Sequence, residues 1–147
     1  MIALIQRVKR SSVKVDGKLI SEIGQGLNIL LGVFKDDSEK DIEKLVKKVV
    51  NLRIFADEEG KMNLSLKDIG AEVLVVSQFT LAGSVKKGRR PSFDSAMAPD
   101  DAEKFYEKFC DEMEKEVKVK KGIFGAMMEV EIVNDGPVTF IVDSKIL

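Results

Sequence analysis

The chain contains no histidine, no tryptophan and a single cysteine among its 147 residues. The lack of histidine excludes Ser-His-Asp and Cys-His arrangements, and with them the commonest general base. A serine or threonine here acts as a nucleophile only if a lysine, a carboxylate or the substrate takes its proton. One cysteine, Cys110, excludes an internal disulfide and, with no histidine beside it, any Cys/His zinc site. No segment approaches the roughly 20 apolar residues of a membrane span. The first residues, Met1-Ile2-Ala3-Leu4-Ile5-Gln6-Arg7, lack the basic region and long apolar stretch of a secretory leader. There is no Walker-type or dinucleotide loop and no carboxylate set at metal-ligand spacing, so neither cofactor nor metal is expected. Neither sign of charge dominates, with 24 basic and 25 acidic residues, so an anionic partner must be met by a local patch. These absences fit a cytoplasmic address.

What remains is 44% apolar and 33% charged, as in a soluble globular protein, and residues 1–147 suit one domain with one substantial core. Ala3, Ile5 and Val8 begin a strand pattern that resumes at Val13 and Val15. Asp16-Gly17 then marks a hairpin turn, and Leu19-Ile20 a returning strand. After a second turn at Gly24-Gln25-Gly26, Leu27 to Phe34 is a nearly continuous apolar run, as in a strand buried on both faces. Ser38 and Asp41 form a capping box ahead of Ile42, Leu45, Val46, Val49 and Val50 at helical spacing. Leu52 to Phe55 reads as a short strand, Asp57 to Lys61 as a polar turn, and Val73 to Phe79 as another buried strand.

Residues 82 to 99 form a long irregular stretch of the kind that is usually functional or mobile. Pro99, Asp100 and Asp101 open a second helix, with Phe105, Tyr106, Phe109 and Met113 as its apolar stripe. Asp111–Lys115, Glu114–Lys118 and Glu116–Lys120 are acid-before-base pairs on its wet side. Phe124-Gly125-Ala126 suggests a strand that admits another backbone closely. Two strands, Met127 to Val133 and Val138 to Val142, close the chain around Asn134-Asp135-Gly136-Pro137. The expected fold is α+β, with a curved, barrel-like, largely antiparallel sheet and two main helices.

Three segments are candidate sites. Ser77-Gln78-Phe79-Thr80 crowds three hydrogen-bonding side chains after a fully apolar strand. Either they bond nearby backbone with Phe79 in the core, or they face a ligand. Main-chain N–H groups freed where the ladder stops would suit an oxyanion. Gly136-Pro137 is either a plain turn between strands or a rigid clamp presenting two carbonyl oxygens side by side. Lys86-Lys87-Gly88-Arg89-Arg90-Pro91-Ser92-Phe93 packs four cations into five positions, and reads either as a solvated loop or as a phosphate-and-base contact. Met127-Met128 reads as core or interface filling, and Cys110 as an inert buried thiol.

Taken together, these segments resemble the D-aminoacyl-tRNA deacylases nearly end to end. The match runs from Ile5-Gln6-Arg7-Val8 through Asn51-Leu52-Arg53-Ile54-Phe55, Ser77-Gln78-Phe79-Thr80-Leu81 and Lys87-Gly88 with Arg90-Pro91-Ser92-Phe93. It continues to Asn134-Asp135-Gly136-Pro137-Val138-Thr139. The Ser-Gln-Phe-Thr and Gly-Pro-Val-Thr motifs, in that order and separation, carry the specificity. Arg89 lies at a position that varies in the family. The resemblance implies a homodimer with active sites at the subunit interface, hydrolysing the ester between a D-amino acid, or glycine, and the terminal adenosine of tRNA. It implies a cis Gly136-Pro137 bond reaching into the partner's pocket, where an L side chain collides. Phe79 and Thr80 would be the catalytic positions, through backbone N–H groups or, on the rival proposal, through Thr80 as nucleophile. Ser77, Gln78, Gly136, Pro137, Val138 and Thr139 would hold substrate. Lys86, Lys87, Arg90, Pro91, Ser92 and Phe93 would hold tRNA.

Overall fold

Strand β1 (Ile2–Val15) organises the sheet, because its length lets it pair on both edges. The computed structural model describes all residues from Met1 to Leu147. On one edge the first half of β1 pairs antiparallel with β3 (Gly26–Gly32), and its second half with β2 (Lys18–Ile23). The β1–β2 hairpin turns through Asp16 and Gly17, both at positive φ, as the Asp-Gly pair predicts. Outward from β3 lie β6 (Glu72–Ser77) and β7 (Lys118–Lys121), joined parallel. The sheet is therefore mixed, and its three ladders to β1 are antiparallel. It curls toward a barrel: the Ser21 hydroxyl donates to Lys121 O at 2.5 Å, and Lys120 Nζ to Glu22 O at 3.1 Å, bringing β2 against β7.

β3 and β6 are buried on both faces, as their apolar runs require. One face packs under α1 (Glu39–Asn51) and α3 (Pro99–Glu114), and the inner face closes on Val8, Val13, Ile23, Leu74 and Val76. In α1, Ile42, Leu45, Val46, Val49 and Val50 are all buried, each contributing roughly 2 kcal/mol. Surface charge pairs contribute a few tenths each, so packing holds the helix. The Ser38 N–H donates to the Asp41 carboxylate at 2.8 Å, completing the expected box. A short strand pair, β4 (Phe55–Ala56) and β5 (Met62–Leu64), flanks the polar turn, and a one-turn helix α2 (Leu66–Ile69) follows. The strand expected from Leu52 is thus reduced to its last residue and Ala56.

Three further expectations change. α3 stops at Glu114, so Glu114–Lys118 and Glu116–Lys120 are not helical pairs. Glu116 instead meets Lys67, and Lys120 meets Glu72 across the β6–β7 ladder. Phe124-Gly125-Ala126 is a turn rather than a strand, with Gly125 at φ 76°. The chain also closes with one strand, β8 (Glu129–Asp143), not two. Both of its halves pair antiparallel with β1, so the chain never reverses at Gly136-Pro137. Asn134 lies opposite Val8 and Thr139 opposite Gln6, so a single residue, Arg7, faces the four residues Asp135 to Val138. The segment is a wide bulge within a strand.

Candidate active site

The first motif sits where β6 runs out. Ser77 is the last paired residue, opposite Leu31, and the Gln78 N–H donates to Leu31 O at 2.8 Å. The chain then turns into a 3₁₀ helix, Phe79–Ala82. The N–H groups of Phe79 and Thr80 open that turn, where a helical start leaves donors without an intrahelical acceptor. Phe79 is not in the core: it is 57% exposed, because the turn swings its ring off the buried face. It packs instead against Phe93 in a tilted pair, with ring centroids 5.1 Å apart and planes at 58°. Thr80 is exposed, and its Oγ1 accepts from Gln78 Nε2 at 2.5 Å.

The basic stretch is better ordered than a sequence-based loop suggests. Ser84 and Ser92 exchange two backbone hydrogen bonds, of 2.7 and 2.9 Å, and make residues 85 to 91 the tip of a small hairpin. Lys35 N donates to Ser95 O, and Met97 N to Val33 O, binding the return limb to the segment after β3. Gly83 lets this hairpin close on the 3₁₀ turn: a Cβ there would stand 2.9 Å from both Phe93 Cε1 and Thr80 O. Lys86, Lys87, Arg89 and Arg90 are exposed, and none joins an ion pair. The structure thus brings Ser77, Gln78, Phe79, Thr80 and Phe93 into one exposed ledge with a cationic tip.

The second motif is held by β1. The Gly136-Pro137 peptide is cis, and both residues are exposed. Asn134 staples the base of the bulge: its Nδ2 donates to Arg7 O at 3.1 Å and to Val138 O at 2.9 Å, and its Oδ1 accepts from Val138 N at 3.1 Å. Asn134 therefore holds the two ends of the bulge together. Arg7 Nε donates to Asp135 O at 2.8 Å, and Gln6 Nε2 to Thr139 Oγ1 at 3.1 Å. At Gly136 a Cβ would meet Val138 N at 1.9 Å and Asn134 Oδ1 at 2.8 Å, so only glycine fits under the staple. Val138 is buried, and both of its backbone groups are taken by Asn134, so in this chain it anchors the bulge. Gln6, Arg7 and Asn134 were given no role from sequence. The available signal was the adjacent amide and cation, Gln6 and Arg7, that interrupt the apolar run opening β1.

Within one chain the two motifs stay apart. The bulge lies level with Arg7, Leu27 and Val73, three strands from β6 and four residues short of Ser77. At strand spacings of about 4.8 Å and rises of about 3.3 Å, the separation is on the order of 20 Å.

Elsewhere, burial pushes the Cys110 thiol up to about 12, and the Tyr106 hydroxyl, raised by burial too, donates to Val75 O at 2.8 Å. Both are packing groups. No cluster of three or more cysteine, aspartate or glutamate side chains is disposed to hold a metal ion.

Comparison with known proteins places this arrangement. The D-Tyr-tRNA(Tyr) deacylase family matches residues 4–143. A D-aminoacyl-tRNA deacylase of Persephonella marina is 64% identical over the whole of both chains, and one of Aquifex aeolicus is 60% identical over 99% of each. The solved structure of a c-Myc DNA Unwinding Element Binding Protein is 46% identical, with a TM-score of 0.93 over 97% of this chain and 98% of that one. A probable eukaryotic D-amino acid tRNA deacylase shares the fold at 20% identity, with a TM-score of 0.83 and the same coverage. No helix is long and apolar enough to cross a membrane. With a family match and relatives of this identity spanning its length, the chain belongs to the D-Tyr-tRNA(Tyr) deacylase family, hydrolases that cleave the ester joining a D-amino acid to tRNA.

Proposed function

We propose that residues 1–147 form a single catalytic domain that works as a homodimer, each subunit's Gly136-Pro137 bulge completing the Phe79–Thr80 ledge of the other. One observation carries this reading. The two motifs that define the site are both exposed and lie on the order of 20 Å apart in one chain. A site that uses both needs two chains.

In that composite site the substrate is the ester between a D-amino acid, or glycine, and the terminal adenosine. The carbonyl oxygens of Gly136 and Pro137 stand against the α-carbon, so an L side chain meets backbone while a D side chain points outward. Selectivity is then rejection by an inflexible wall. The N–H groups of Phe79 and Thr80 hold the oxygen that gains charge as water attacks the carbonyl carbon. Water adds, the bond to the ribose oxygen breaks, and the tRNA hydroxyl leaves with its proton. The neighbouring ribose 2′-hydroxyl assists that water, supplying what a chain without histidine lacks.

Thr80 as covalent nucleophile is disfavoured by its neighbour: the Gln78 amide donates to the hydroxyl oxygen and cannot remove its proton. Ser77 and Gln78 shape the pocket around the adenosine. Thr139, held by Gln6, lines the partner's side, and Val138 fixes the bulge. Lys86, Lys87 and Arg90 meet phosphates, Pro91 and Ser92 shape the hairpin, and Phe93 with Phe79 offers a stacking face. The site of action is the cytoplasm, where charged tRNA is used.

Incubation with D- and L-tyrosyl-tRNA tests the reading: rapid release of D-tyrosine alone supports it, and equal release of both or of neither removes it. Sedimentation of the active species tests the dimer, and a stereoselective monomer would refute it. The relative named for binding a DNA unwinding element suggests a rival, nucleic-acid binding without cleavage. Tight binding of tRNA with its ester left intact would favour that rival.

A further inference from the structure

The outer face of α1 carries cations that enter no ion pair. Lys44, Lys47 and Lys48 are exposed and enter no ion pair, although acids outnumber bases. On α3, Lys108 pairs with Glu39, Lys115, just past its end, pairs with Glu112, and the unpaired Lys104 lines a groove with Asp100, Glu103 and Glu107. With Asn51 and Arg53, the three α1 lysines line a concavity of about 550 Å³ floored by Leu52 and Leu147. No acid lines that concavity; Glu43, Glu112 and Glu116 line an adjoining groove toward α3, together with Lys115. Of the four cations in the concavity, only Lys47 also borders those acids.

Most helix lysines are merely solvated, and position distinguishes these. β3 ends at Gly32, and α1 then runs back along the sheet for about 20 Å. Its far end therefore lies level with the start of β3. Arg7 ties that end to the bulge, donating through Nη1 to Ile54 O at 2.7 Å and through Nε to Asp135 O at 2.8 Å. Arg53, next to Ile54, thus shares one end of the molecule with Gly136-Pro137, and the lysines lead up to it along the helix. Whatever surface the bulge enters, the α1 cations flank it.

We infer that Lys44, Lys47, Lys48 and Arg53 grip the phosphate backbone of the tRNA whose acceptor end occupies the partner's site. The inference rests on the dimeric reading above. Lys86, Lys87 and Arg90 of one subunit meet the strand beside the ester, and α1 of the other meets the backbone further along. Each tRNA is clasped from both chains, which explains how a protein with almost no net charge concentrates cations along a polyanion's path.

The test is equilibrium binding of uncharged tRNA to the whole protein across a salt series. In the variant Lys44→Gln/Lys47→Gln/Lys48→Gln, low-salt affinity falls about tenfold or more. The slope of log affinity against log salt flattens by about 2, at roughly 0.7–0.9 for each phosphate no longer neutralised. Lys104→Gln/Lys118→Gln, exposed lysines away from this face, keeps the wild-type slope. An unchanged slope in the triple variant, an equal loss in the control pair, or salt-independent binding by the wild type would overturn the inference. A mixed dimer tests the crossing: one subunit carries the α1 triple, and the other carries Lys86→Gln/Lys87→Gln/Arg90→Gln. It should keep one tRNA site of wild-type affinity, whereas two equally weakened sites would show that the cations act within their own subunit. Wild-type hydrolysis of D-tyrosyl-tRNA judges the deacylase reading separately, and its failure leaves the salt slope fully readable.

Discussion

Arg7 and Asp135 face each other across the β1–β8 ladder, the Arg7 Nε donating to the Asp135 carbonyl oxygen at 2.8 Å and standing 3.4 Å from its carboxylate. The same guanidinium reaches Ile54 O, so one side chain fixes the bulge against the segment after α1. Arg7→Ala leaves both carbonyls without their charged donor, in a site where the arginine is 14% exposed. The expected result is a loss of about 3 kcal/mol in urea unfolding. Hydrolysis of L-tyrosyl-tRNA should also rise relative to D. Unaltered selectivity in a destabilised variant would show that Arg7 serves the fold alone.

Thr80→Ala separates the two chemical routes. The backbone route predicts a single-turnover rate on D-tyrosyl-tRNA within about tenfold of wild type, because the N–H groups remain. Removing a true nucleophile costs on the order of 10⁴ or more. A loss of that size in a folded variant would make Thr80 the attacking group.

Gly83→Ala should act on binding. Its Cβ would press on Phe93 Cε1 and on Thr80 O, each at 2.9 Å, and separate the Phe79–Phe93 pair. Overpacking of this kind costs about 1–3 kcal/mol. KM for D-tyrosyl-tRNA should rise more than kcat falls, and steady-state kinetics with both parameters unchanged would refute the role assigned to the aromatic ledge.

Asp41 sets an acid limit on stability. Burial pushes its carboxyl up, but the Ser38 N–H, the Ser144 hydroxyl and Lys145 outweigh it and hold the group well below the usual carboxylate range. Because the folded value is the lower one, the contribution is complete above the unfolded value of about 3.9 and disappears as pH falls through the folded one. Urea midpoints of wild type and Asp41→Asn should differ by a constant amount between neutral pH and about 5, then converge in acid. Convergence toward alkaline pH instead would contradict the assignment.

The sequence exposes those parts of the fold whose chemistry is local. The α1 box at Ser38 and Asp41, the doubly buried runs of β3 and β6, and the Asp16-Gly17 hairpin follow from residue type and period. β7 was hidden because Lys118-Val119-Lys120-Lys121 carries the lysines that edge strands use against aggregation, and those lysines mimic helical charge pairs. Phe79 was ambiguous because nothing in the residues says that the ladder ends at Ser77. The continuity of β8 was illegible for a similar reason: Gly-Pro signals a turn, and only pairing with β1 on both flanks shows that the chain keeps its direction. At the site, the motifs stood out as residue types. Their distance in one chain and the Gln6, Arg7 and Asn134 supports depend on strand order, which is a long-range property.

The pairing of β8 with β1 on either flank of the bulge also constrains how the loop can change. Val130 and Ile132 point into the barrel before it, and Val138 and Val142 are covered after it. Strand side chains alternate, so one residue added or deleted between Asn134 and Thr139 would turn Ile141 inward and Val142 outward unless the strand slipped. Point substitutions at the tip leave that alternation alone. Length, with Gly136, is therefore the most tightly fixed property of this segment, and laboratory evolution of substrate range should proceed by exchange at its other positions rather than by insertion.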